Sequence, residues 1–158
     1  MGRFDYFIFT ALLSVASVAS MSHNMTTTMA PMQPLNCTNI PEVPMKPYDG
    51  NITAVLALAN DNIRVCNLII PLLNGFNAKL KLTGVYDQLD QVMMLMKYLQ
   101  MRIEIINRRL DCGLPMSVEE ARSLKQMMYN DQVSKRVLYG VKMRLTVIKE
   151  RLRNIYKN

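Results

Sequence analysis

The segment Val85–Leu110, VYDQLDQVMMLMKYLQMRIEIINRRL, carries the most regular apolar pattern in this chain of 158 residues. Its apolar residues are separated alternately by four and three positions: Val85, Leu89, Val92, Met96, Leu99, Ile103, Ile106 and Leu110. This heptad spacing predicts about 39 Å of helix with one apolar seam. Asp111-Cys112-Gly113 follows, with Pro115 just beyond, and this combination is typical of a helix end.

The sequence after this segment predicts more helix. Ser117 and Glu120 have the spacing of a capping box, which marks a helix start. Asn130–Asp131 could separate two helices, although one long helix also fits. In the C-terminal part, apolar residues again recur at intervals of three and four: Leu138, Val141, Leu145, Ile148, Leu152 and Ile155.

The sequence before it predicts a further helix, which starts near Asn51 and has an apolar face. Pro71 and Asn74–Gly75 indicate its end, and a short element over 76–82 would lead to Thr83–Gly84 and the long helix. No stretch alternates in the manner of a strand. We therefore predict an all-α domain over residues 51–158, a bundle of three to five helices.

The N-terminal region differs in composition from the predicted bundle. Residues 1–20 have the layout of a secretory signal peptide: a short basic start, an apolar run and small residues near Ser20. Residues 21–50 are rich in proline, threonine and methionine, so we expect an extended or disordered arm. One arrangement that stays open is that the arm lies across the folded body, with Cys37 as a tether. No later run of about 18 uninterrupted apolar residues would span a membrane. The expectation is a soluble protein that is secreted or stored in a secretory vesicle.

Secretion makes both glycosylation and disulfide formation relevant. Three asparagines lie in glycosylation sequons: Asn24, Asn36 and Asn51. The three cysteines, an odd number, suggest one bridge and one further thiol that is buried or paired between chains. We favour the pair Cys66–Cys112, because both residues belong to the helical part, and the other pairs stay open.

The sequence contains no motif that points to catalysis. Its single histidine, His23, lies in the arm, and there is no zinc-binding HExxH motif, phosphate-binding glycine loop or nucleophile elbow. The adjacent Glu119 and Glu120 are explained by capping and by the helix dipole. We therefore expect a protein that is not an enzyme and that has neither a metal site nor a cofactor.

The charge distribution points instead to binding. The chain has a formal net charge of +7, which removal of the signal peptide leaves unchanged. Lys135, Lys142 and Lys149 flank one side of the C-terminal apolar stripe, and Arg144 and Arg151 flank the other. The flanks of the long helix offer no acid to neutralise them. The candidate partner-binding residues are Arg102, Arg108, Arg109, Lys135, Arg136, Lys142, Arg144, Lys149, Arg151 and Arg153.

Three interpretations of these cations stay open: a solvated basic face, a surface for an anionic macromolecule, and a basic helix acting at anionic membranes. Methionines at Met93 and Met94 lie off the seam, which adds a second copy of the chain as a partner expectation. We expect an extracellular glycoprotein or an anionic glycan as the partner, and no nucleic acid.

The block Ile105–Lys125, IINRRLDCGLPMSVEEARSLK, resembles gastropod sperm lysin and the related acrosomal fusagenic proteins. The resemblance lies in Ile106, Asn107, Arg108, Arg109, Leu110, Asp111, Gly113 and Pro115. It implies a non-enzymatic acrosomal protein that loosens an egg-coat glycoprotein, or acts at a gamete membrane, in fertilization. Arg108 and Arg109 would then join the cationic surface.

A second hypothesis belongs to a different class. A secreted cytokine-like protein, or a seminal or salivary helical effector recognised by a receptor, would have the same long helices, sequons and disulfide. The tissue of expression separates the two hypotheses: sperm or testis favours the first, and immune or glandular tissue the second.

Overall fold

The computed structural model of the protein describes residues 37–44 and 52–157. Three α-helices contain most of them: α1 (Ile52–Ile69), α2 (Gly75–Asp111) and α3 (Val118–Lys157). A single 3-10 turn, Ile70–Leu72, follows α1. These residues contain no strand, so the predicted all-α class is confirmed.

Helices α2 and α3 form a long antiparallel hairpin, and α1 packs against both of them. Arg109 in α2 lies 3.8 Å from Glu120 in α3, next to the connection between the two helices. The side chains of Asn60 and Asn67 in α1 accept hydrogen bonds from Arg144 and Arg151 in α3, respectively. Because the contacts follow the same order along both helices, α1 runs parallel to α3. Helix α1 therefore covers the half of the hairpin that is farther from Cys112.

The heptad seam predicted for the long helix is buried. Val85, Val92, Leu99 and Ile106 have no exposed surface. Ile106 belongs to a second, smaller core. The other three share a core with five buried residues of the C-terminal apolar stripe of α3: Leu138, Val141, Leu145, Ile148 and Leu152. The two patterns thus meet in one core, which α1 completes with Ala59, Ile63 and Cys66.

Helix α2 begins earlier than predicted, because Thr83–Gly84 does not interrupt it. Ala78 and Leu82 are buried and extend the seam by two positions, and this burial outweighs the cost of a helical glycine, about 1 kcal/mol. The side chain of Asn74 accepts a hydrogen bond from the Asn77 amide, 2.9 Å long. Asn74 therefore caps the start of α2, where the sequence had suggested only the end of α1.

Helix α3 is one continuous helix, so the break considered at Asn130–Asp131 does not occur. Its first turn is capped as predicted, since the Ser117 hydroxyl accepts from the Glu120 amide at 3.0 Å. Asp131 is buried in mid-helix and paired with Arg102 of α2. The polar residues that suggested a break instead join α2 to α3.

Residues 37–44 lie against the end of the hairpin that α1 leaves uncovered. Val43 is buried in a second small core with Ile105, Ile106 and Leu124. Cys37 forms a disulfide with Cys112, with 5.6 Å between the Cα atoms. This covalent bond ties the segment to the last turn of α2.

The predicted pair Cys66–Cys112 is therefore wrong. Cys112 ends α2 at one end of the hairpin, whereas Cys66 lies near the end of α1, toward the other. Cys66 is free and buried, and burial raises the pKa of its thiol while Lys81 lowers it. The predicted signal peptide, the sequons at Asn24, Asn36 and Asn51, and the rest of the arm lie outside the described residues.

Candidate partner-binding surface

The C-terminal half of α3 carries a concentration of positive charge. Between Gln132 and Lys157 it has eight lysines or arginines, and Glu150 is the one acid. Because the buried stripe faces the core, the cations lie on both sides of it and on the outer face. We call this set the cationic face; its residues are Lys135, Arg136, Lys142, Arg144, Lys149, Arg151, Arg153 and Lys157.

The two arginines that face α1 are held by neutral groups. The Arg144 guanidinium donates a hydrogen bond of 3.0 Å to the Asn60 side-chain oxygen. Seven residues further along both helices, Arg151 donates to the side-chain oxygen of Asn67 at 2.8 Å. An amide oxygen orients a guanidinium but carries no formal charge. Both side chains are therefore positioned while their positive charges stay uncompensated by these contacts.

The lysines on the other side face the flank of α2. Lys135 donates to the side-chain oxygen of Gln100, again a neutral acceptor. Lys149 lies 6.0 Å from the centre of the Tyr86 ring. Lys142, between them, is half-buried. The stems of these lysines therefore pack along the hairpin, as long cationic side chains commonly do.

The single acid of this region forms the ion pairs that exist within it. Glu150 lies 3.3 Å from the Lys149 ammonium and 3.9 Å from the Arg153 guanidinium. Such exposed pairs contribute little, typically below about 1 kcal/mol. One carboxylate cannot neutralise eight cations, so the face keeps a large positive charge.

A shallow groove of about 400 Å³ opens beside this face, between α2 and α3. Met96, Ile103 and Tyr139 give it apolar lining, and Gln100 and Lys135 give it polar groups. Sequence reasoning did not identify the groove, because Met96 and Ile103 were assigned wholly to the seam. The groove provides apolar contact area next to the cations.

Arg102 does not belong to this surface. Its guanidinium donates to both carboxylate oxygens of Asp131, and the two side chains are 11% and 4% exposed. It also donates to the carbonyl oxygen of Pro44 at 3.5 Å. Hydrogen bonding to Asp131 raises the pKa of Arg102 against the opposing effect of burial. We therefore assign Arg102 a structural role, and its place among the candidate binding residues is not retained.

Arg108 and Arg109 lie near the disulfide, at the other end of the hairpin from Arg151 and Arg153. Both are half-buried, and Arg109 lies 3.8 Å from Glu120. The structure thus does not bring these two arginines together with the cations near the C-terminus. Arg108 and Arg109 are therefore candidates only for a contact separate from the cationic face.

The described residues, 37–44 and 52–157, contain no group of three or more His, Cys, Asp or Glu side chains that could hold a metal ion. The chemistry that the cationic face supports is electrostatic and hydrogen-bonded binding of an anionic group.

Asn60 and Asn67, which position two arginines of the cationic face, are the residues that sequence reasoning missed. The signal available in the sequence was their seven-residue interval, which equals the interval between Arg144 and Arg151.

No protein-family model, curated protein or solved structure matches the chain.

Proposed function

We propose that this chain is a secreted, lysin-like helical binding protein that acts without catalysis on an anionic or glycosylated extracellular partner. An egg-coat glycoprotein or a gamete membrane in fertilization is the setting that the sequence resemblance implies. One observation carries the proposal: Arg144 and Arg151 are oriented by the amides of Asn60 and Asn67 rather than by carboxylates.

Secretion is supported from two sides. The N-terminal sequence has the layout of a signal peptide. The disulfide Cys37–Cys112 is compatible with folding in an oxidising compartment, where such bonds persist. A partner met outside the cell commonly carries sulfate, sialate or uronate groups, which are anionic at neutral pH.

The physical basis of recognition is the excess of positive charge on a rigid helix. Guanidinium groups bind carboxylate and sulfate oxygens through paired hydrogen bonds. Because Arg144 and Arg151 are already oriented, less side-chain entropy is lost when a partner binds. The adjacent groove adds apolar contact, which would let the face distinguish a glycoprotein from a bare polyanion.

Binding to immobilised heparin and to egg-coat glycoprotein tests this proposal. Lys142→Gln/Arg144→Gln should weaken binding by about tenfold at low salt, and the loss should shrink as salt rises. The matched control Arg122→Gln/Lys125→Gln removes two exposed cations from the first turns of α3. Equal loss in both double variants would show that net charge alone governs binding, and would contradict a defined face.

A further inference from the structure

The corner where α1 leads into α2 exposes large apolar side chains to solvent. Leu68, Leu72, Phe76 and Leu80 follow one another at four-residue intervals and are 66%, 84%, 71% and 59% exposed. We call these four residues the apolar tip. None of them belongs to either core cluster. Several large apolar side chains exposed on one short stretch of chain are typical of a surface that another apolar phase or molecule covers.

Cations of α2 and α3 lie near the apolar tip. Arg151 of α3 donates to Asn67, which immediately precedes Leu68. The last turn of α3 packs on the start of α2, where a Cβ built on Gly75 would lie 3.7 Å from the Ile155 carbonyl oxygen. Lys79 in α2 then lies 5.5 Å from the ring of Tyr156. The C-terminal cations of α3 are therefore brought to the same end of the molecule as the tip.

Acidic residues are absent from the chain around the tip. From 62 to 86 the sequence contains no Asp or Glu, whereas it contains Lys79 and Lys81; its third cation, Arg64, is paired with Asp61 just before this stretch. The nearby part of α3 contributes only Glu150, which is already paired with Lys149 and Arg153. The tip is thus apolar with a positively charged border.

We propose that the apolar tip inserts into the interface of an anionic lipid bilayer, with Lys79, Lys81 and Lys157 contacting lipid head groups. A bilayer offers an apolar layer to the four side chains and negative charge to the border. A second copy docked tip to tip fits less well, because a two-fold contact would set two positively charged borders against each other.

The contact is peripheral, without a membrane span. By length and composition, Ile52–Leu72 is long and apolar enough to cross a membrane. Its inner side, however, packs Ala59, Ile63 and Cys66 into the core with α2 and α3. Only the outer side and the following turn are free for lipid, so insertion reaches the depth of single side chains.

Flotation with phosphatidylcholine vesicles, with and without phosphatidylserine, tests the proposal on the full secreted chain. We expect binding to vesicles that contain phosphatidylserine, and a loss of at least about tenfold in Leu72→Ser/Phe76→Ser, because each side chain leaves an apolar layer. Both positions are exposed, so folding should persist and is checked by circular dichroism. The control, Val118→Ser/Val147→Ser, removes two exposed apolar residues elsewhere, 71% and 57% exposed, and should bind as the parent does.

Three results would overturn the proposal. The first is that the parent binds neither kind of vesicle. The second is that the Leu72→Ser/Phe76→Ser variant binds as well as the parent, because adsorption by charge alone would then explain the binding. The third is that the same variant abolishes a dimer seen in sedimentation, because the tip would then be the contact with a second copy. Heparin binding is measured on the same proteins. Heparin binding is assigned to the cationic face, which shares Lys157 with the border of the tip but contains none of the four tip residues. A parent that fails to bind heparin would therefore contradict the proposed function while leaving the vesicle result standing.

Discussion

Arg102 and Asp131 form the one ion pair of the described chain in which both side chains are almost fully buried. Their hydrogen bonds join α2 to α3 next to the segment 37–44, and the Pro44 carbonyl accepts from the same guanidinium. Taking two charges from water is costly, and only a complete set of hydrogen bonds offsets that cost. The pair therefore specifies how α2 and α3 align rather than supplying much net stability.

Removing one member of this pair should be strongly destabilising. Arg102→Ala leaves the Asp131 carboxylate buried without its partner, so we expect a loss of about 3–5 kcal/mol in the free energy of unfolding. Urea denaturation measures it. The control is Arg64→Ala, which breaks the exposed pair with Asp61 and should cost less than about 1 kcal/mol. If the two variants lost the same stability, the structural role of Arg102 would be refuted.

At the scale of the helices, Gly84 inside α2 and Gly113 just after its end have opposite roles. Gly113 follows the last turn of α2 with φ of +58°, a backbone conformation that side chains with a Cβ disfavour. Gly84 lies inside α2, and a Cβ added there meets nothing within 4 Å. One glycine thus allows the chain to leave the helix, and the other only weakens the helix.

Substituting both positions with alanine gives a paired prediction. Gly113→Ala should destabilise the protein by about 1 kcal/mol, because the left-handed conformation is retained at a cost. Gly84→Ala should stabilise it by about 0.5–1 kcal/mol, because alanine restricts the unfolded chain and favours helix. Thermal and urea unfolding of both variants report the signs. Stabilisation by Gly113→Ala would show that the α2 end does not require that backbone conformation.

The helices also show which features the sequence could predict. The apolar intervals of α2 and α3 are local and repeat many times, so burial of Val92 or Leu145 follows from spacing alone. Whether a helix continues through Gly84 or Asp131 depends on contacts with another helix. Such contacts cannot be read from the apolar pattern of a single sequence. Turn-forming residues were therefore given too much weight where buried Leu82 or the Arg102–Asp131 pair decides the outcome.

At the scale of the whole molecule, the disulfide and the cationic face show the same limit. The partner of Cys112 depends on where the N-terminal segment lies, and Cys37 precedes α1, α2 and α3 in the sequence. The composition gives the net positive charge of the chain, but not the position of each charge in the fold. It could not predict that Arg102 is buried, or that Arg144 and Arg151 meet amides of α1. Those outcomes arise from packing between helices.

The whole molecule carries two candidate contact surfaces. The cationic face extends along the C-terminal half of α3, and the apolar tip lies where α1 turns into α2, near the end of that helix. A protein with both could bind an anionic glycoprotein and lie on a membrane surface at once. Two weak contacts on one molecule strengthen each other through effective concentration.

The double substitution Asn60→Asp/Asn67→Asp tests the central claim most directly. It retains every cation and places a carboxylate where each amide now accepts from Arg144 or Arg151. We predict unfolding stability within about 1 kcal/mol of the parent, because both new ion pairs are exposed. Heparin affinity at low salt should fall by about three- to tenfold, with the difference shrinking at high salt. Unchanged affinity in a folded double variant would contradict the claim that these two uncompensated charges bind the partner.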